Sequence, residues 1–357
     1  MKSSRLAAVA ALSSVLLVSA CSGSEGDGSS SSEDASASQS SGGGGGQDDA
    51  QSSGADDDTV TAEAEGVASV DTDEAEAIAA DLLTKAAKVS NGDGNEITSD
   101  AKAAYRGHAY YAALAADQLE EIEGEPPVRD LITDPVEPTV LAISRDDGEF
   151  PLLMLVQTVP ESGPPELYVM ASPDEPENFR IVWWAPMLPG TDIGTFDRRT
   201  VGSPILREGA GDLARSPQKV YAALADSIDY PVGEPFKAKT NGYAPAVREA
   251  AAEQADEVSE QAELTESNEL RTRMYTFYRE DGSAVSFAAL KRETEFDVRD
   301  GMELTPPESF LVFNDDEAIT GRARLNTYVY MALALPQDDS RPEMVAVREQ
   351  LVSAVGS

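Results

Sequence analysis

The chain opens on an uncharged apolar run, Leu6 to Ser19, and then loses all apolar periodicity until about residue 73. From there Ile78, Leu82, Ala86 and Val89 recur at helical spacing behind Thr72 or Asp73, which predicts a capped helix to about Val89. Asn91-Gly92-Asp93-Gly94-Asn95 breaks it, and a second helical stretch follows over about 99–122, with Tyr105, Ala109, Ala112 and Ala116 on one side. Gly124-Glu125-Pro126-Pro127 ends that stretch, and the pattern changes to strands. They are expected at 139–144, 152–159, 167–172 and 179–188, the first two joined around Arg145-Asp146-Asp147-Gly148-Glu149. Met187-Leu188-Pro189-Gly190 closes this meander.

The order then repeats. Ser216-Pro217 places proline at the first position of a helix running to about Ile228, and an Ala- and Glu-rich helix is expected over 243–263. Strands follow at 271–279 and 284–296, around Arg279-Glu280-Asp281-Gly282, a turn similar to Arg145-Asp146-Asp147-Gly148. A strand over 322–335 comes next. The last segment, 344–355, reads as a strand because Val345, Val347, Leu351 and Val352 form no helical stripe. Helices first and sheet after, twice over, predicts an α+β class with domains at 73–205 and 206–357. Helices packed on a curved antiparallel sheet are the plan of the cone-shaped nuclear-transport-factor-2-like fold, which is an analogy of architecture.

The N-terminal pattern acquires a meaning from its flanks. Lys2 and Arg5 precede the apolar run, and the run is too short to span a bilayer. It ends in Leu17-Val18-Ser19-Ala20-Cys21, which resembles the lipobox of bacterial lipoproteins. An aliphatic residue followed by two small ones lets a signal peptidase cut before the cysteine. The thiol then takes a diacylglyceryl group, and two or three acyl chains make a stable anchor where one is marginal. Residues 1–20 are therefore expected to be a signal peptide and Cys21 the lipidated residue. Cys21 is also the only cysteine in 357 residues, so no disulfide or zinc cluster is expected. Residues 21–72 are expected to form a disordered Ser-, Gly- and Asp-rich tether, reaching about 40 Å from the membrane.

Charge narrows the partners. The formal net charge is −38, and residues 22–73 hold thirteen acidic residues and no Lys or Arg. An acidic body argues against nucleic acid, which needs a basic patch, and against binding anionic head groups through the folded surface.

Catalytic chemistry is harder to find. His108 is the only histidine and no serine sits in a nucleophile elbow, so no catalytic residue, metal site or cofactor is assigned. With 65 acidic residues, carboxylate spacing carries no information. Asp93-Gly94-Asn95-Glu96 hints at a calcium loop, but the twelfth position counted from Asn91 is Lys102 rather than Glu. Phe179, Trp183 and Trp184 are the aromatic residues that a pocket or partner surface would use. On a strand the two indoles should face opposite sides.

The segments Phe150 to Gln157, Leu167 to Met170, Phe179 to Trp184 and Met187 to Gly190 together resemble an uncharacterised family of actinobacterial lipoproteins. Ala323 to Pro336 resembles the same family's near-terminal strand, and Trp184 departs from its pattern, where a smaller residue is expected. The resemblance implies an extracytoplasmic lipoprotein with tandem nuclear-transport-factor-2-like halves. It carries no catalytic residues. The expected function is a non-enzymatic protein of the cell envelope, held on the membrane through Cys21 and binding a partner or small ligand. The alternatives are a carboxylate-based hydrolase of cell-wall polymers and a transporter's solute-binding lipoprotein.

Overall fold

The structure, a computed structural model, describes residues 66–91, 97–123, 137–161, 163–233, 236–271 and 273–357. The lipobox, Cys21, most of the expected tether and the Asn91–Glu96 loop from Gly92 onward lie outside these residues. The fold is α+β, with two antiparallel sheets. It begins earlier than expected. Ser69 N–H donates to the Ser144 carbonyl at 2.8 Å, Asp146 N–H donates to Val67 at 2.8 Å, and Val70 is buried, so 66–71 belong to the folded body.

Helix α1 (Thr72–Asn91) buries Ala75, Ala79, Leu82, Ala86 and Val89, the apolar stripe of its sequence. The expected second helix is two, α2 (Ile97–Ala104) and α3 (His108–Glu123). The break is at Gly107, whose φ of +64° lies in the left-handed region that a side chain disfavours. Strands β1 (Thr139–Ile143), β2 (Leu152–Thr158), β3 (Glu166–Ser172) and β4 (Arg180–Pro186) form a four-stranded meander in sequence order. Every residue of β3 is buried, so this sheet is covered on both faces.

Helix α4 (Pro217–Ser227) starts where the Ser216-Pro217 signal placed it. Helix α5 (Tyr243–Val258) is shorter than expected. Its last five expected residues lie past its end, and β5 (Ala262–Leu270) takes over. Strand β5 alternates buried and exposed residues throughout, but its inward positions include Glu266 and Asn268. Polar residues on the core face hide the period-two signal. Strands β6 (Tyr275–Tyr278) and β7 (Ala284–Val298) form the hairpin expected around Gly282. After the short helix α6 (Glu308–Leu311) come β8 (Arg322–Leu335) and β9 (Glu343–Gly356), so the last segment is a strand. The second sheet runs β5-β7-β8-β9. Strand β6 pairs with the first part of β7, and β5 with the rest.

Residues 66–357 form one compact unit. One apolar cluster joins α1, α2, α3 and the first sheet to Phe287, Ala289, Tyr330, Ala332, Val345 and Ala346 of the second sheet. The other face of the second sheet packs on α4 through Val220, Tyr221 and Leu224. The segment around 202–206 is stitched to both sheets. Ser203 N–H donates to Ile143 at 2.7 Å and Leu206 N–H to Thr276 at 2.9 Å.

Candidate functional site

The two indoles singled out from the sequence lie in the seam between the sheets, and Phe179 belongs to the same apolar cluster. Phe179, Trp183 and Trp184 are all buried, with at most 2% of their surface exposed. Both indoles meet Tyr330 of β8, at 6.5 and 5.3 Å, and differ in their other partners. Trp183 Nε1–H donates to the Ala288 carbonyl of β7 at 2.9 Å, and its ring meets Phe287 edge-on at 4.9 Å. Trp184 packs on Tyr105 at 5.2 Å and Tyr330 at 5.3 Å. The guanidinium carbon of Arg348 sits 4.2 Å from the Trp184 ring centroid. That is cation–π distance, in a desolvated place where the attraction is strongest.

Arg348 makes this seam unusual. It lies on β9 opposite Tyr330, and only 9% of it is exposed. One Nη donates to Gln350 Oε1 at 3.1 Å, while Nε has no hydrogen-bond partner among the described residues. Burial lowers its affinity for its proton, and the charge of Glu166 opposes that. Glu166, at the start of β3, is 1% exposed and accepts a hydrogen bond from the Tyr168 hydroxyl. Burial pushes its carboxyl up from the ordinary value of 4.5, against the pull of Tyr168 and Arg348. The Tyr330 hydroxyl is buried without a hydrogen-bond partner among the described residues. An acid from one sheet, a base from the other and three tyrosines thus share an apolar seam. Glu166 and Arg348 act on each other electrostatically across this seam rather than through a direct ion pair.

A second polar group lies on the opposite face of the second sheet. Arg292 of β7 makes a two-pronged pair with Glu349 of β9, at 2.8 and 2.9 Å, and donates to the Tyr243 hydroxyl at 2.9 Å. Burial works against its charge, but Glu349, Tyr243 and Glu266 outweigh that and raise its pKa. Glu266 accepts from the Thr294 hydroxyl at 2.8 Å, and burial raises its pKa. Asp229 accepts from both the backbone and side chain of Asn268, at 2.7 and 3.0 Å. Glu266 and Glu349 are therefore engaged in structural bonds.

No family model, no curated protein and no solved structure matches this chain. The functional reading rests on its own residues. His108 opens α3 with its ring 4.7 Å from Tyr328, and burial together with Arg271 lowers its pKa. Among the described residues no three His, Cys, Asp or Glu side chains gather as metal ligands. Sequence reading missed the Glu166–Arg348 seam. The available signal was a charged residue set inside an apolar strand: Glu166 ahead of Leu167-Tyr168-Val169, and Arg348 behind Val345-Ala346-Val347.

Proposed function

We propose that this chain is a lipoprotein held on the extracytoplasmic face of a membrane by a lipid on Cys21, with residues 66–357 serving as a non-enzymatic binding body. The observation that carries this reading is Leu17-Val18-Ser19-Ala20-Cys21, placed at the end of an uncharged apolar run and holding the chain's only cysteine. The acidic composition of 22–65 suits a solvated spacer, since like charge keeps it off an anionic bilayer. Helices α1–α3 ahead of one sheet, and α4–α5 ahead of the other, support reading each half as nuclear-transport-factor-2-like. An experimental structure in which either sheet stays flat instead of curving around its own helices would remove that part.

The anchor is tested by Cys21→Ala. Cells fed an alkyne-tagged palmitate should label the unaltered chain and not the variant, and the variant should leave the detergent phase on phase separation. Labelling that survives the substitution sinks the proposal.

A further inference from the structure

The chain holds a cleft that the seam and the anchor leave unexplained. It is a groove, half open to solvent, between the loop ahead of α4, the first turns of α4 and Phe236, with a volume of about 470 Å³. That lies within the range of about 300–1,000 Å³ typical of small-molecule sites. Its lining is mostly apolar, with Ala214, Val220, Ala223 and Phe236, and two cations stand in it, Arg215 and Lys219. Among the described residues none that lines it is acidic. Glu208 and Asp212 flank Gly209 and Ala210 in the same loop but do not line the cleft.

Neither cation is consumed by the fold. Among the described residues Arg215 and Lys219 make no ion pair, and both are exposed. Ser216 caps the start of α4. Ser216 accepts the Lys219 backbone N–H with its carbonyl at 3.0 Å and its hydroxyl at 3.4 Å. Attraction for an anion therefore comes from the two side chains rather than from the helix end.

We propose that this cleft binds a small organic carboxylate, its apolar body on Val220, Ala223 and Phe236 and its head between Arg215 and Lys219. This rests on the binding-body reading above and names a ligand class for it. Arginine offers a carboxylate two parallel donors. The acidic surface repels polyanions and is screened beyond about 8–10 Å at physiological salt, which leaves a compact monoanion as the favoured guest.

The test uses the full chain in a non-ionic detergent, with 4-(4-fluorophenyl)butyrate and the matching neutral alcohol followed by fluorine NMR. The carboxylate should bind about tenfold more tightly than the alcohol, with the gap closing in 0.5 M salt as expected for about a 4 Å Debye length. Arg215→Gln with Lys219→Gln should erase the gap and spare the alcohol. Ala223→Phe should fill the cleft and abolish both, with an unchanged far-ultraviolet circular dichroism spectrum. Equal affinity for the two probes, or no binding of either, overturns the proposal. Carboxylate binding untouched by Ala223→Phe also overturns it, but leaves the binding-body reading standing at another site. Failure of the anchor is read separately, from palmitate labelling.

Discussion

At Glu166 the energy of a single proton is open to measurement. Its folded pKa lies above the ordinary 4.5, with burial as the leading cause. The fold therefore holds this proton more tightly than the unfolded chain does. Its contribution favours folding fully below the unfolded value and is lost as pH rises through the folded one. Glu166→Gln mimics the protonated form. Relative to the unaltered chain, its melting temperature should rise between pH 4 and pH 7.5, and a flat difference across that window would rule the shift out. Trp183 offers a larger effect. Trp183→Ala opens a cavity and strands the Ala288 carbonyl, so a loss of about 3–5 kcal/mol is expected in urea titration. The sequence marks Trp183 and Trp184 as important aromatics, because large apolar residues on a predicted strand need cover. It does not say that Arg348 covers one of them, since that contact joins residues 164 positions apart, on different sheets.

Among the elements, those with one apolar face are legible and those with a polar inner face are not. Helix α1 and strands β2, β3 and β8 were found close to their bounds because burial follows the hydrophobic pattern there. Strand β5 has no counterpart among the expected elements, which leave 264–270 between a helix and a strand, because Glu266 and Asn268 occupy its inward positions. Asp229, just past α4, holds that strand by accepting the Asn268 backbone N–H at 2.7 Å. Asp229→Ala should cost about 1–3 kcal/mol by leaving a donor unpaired, and should speed hydrogen exchange at the Asn268 amide above its neighbours on β5. Unchanged exchange there would show that the carboxylate is not what fixes the strand. The loop at Gly202 answers to a different constraint. Its φ is +78°, and a Cβ there would meet the Ala68 Cα at 3.0 Å and the Arg145 backbone at 3.1 Å. A side chain at 202 thus forces apart the first residues of the fold and the end of the first sheet.

The whole molecule depends on the seam, and the chain carries its own reporter for it. Trp183 and Trp184 are the only tryptophans, and both lie against the second sheet, at Ala288, Phe287 and Tyr330. Intrinsic fluorescence therefore reads contact between the sheets. An indole removes about 200 Å² from water, worth about 5 kcal/mol at about 25 cal/mol per Å². Uncovering two would consume most of a stability of about 5–15 kcal/mol. Residues 73–205 produced alone would also lose Tyr330, Val345 and Ala346 from their core, and Glu166 would lose Arg348. That fragment should show red-shifted emission and no cooperative melt. The full chain should unfold in one transition, seen alike by fluorescence and by circular dichroism, which draws on both sheets. A fragment that melts cooperatively with blue emission would mean that each half builds its own core and the seam is only a contact. In that case Trp183→Ala would lower hydrogen-exchange protection in the first sheet alone, whereas a shared core spreads the loss to β7 and β8 as well.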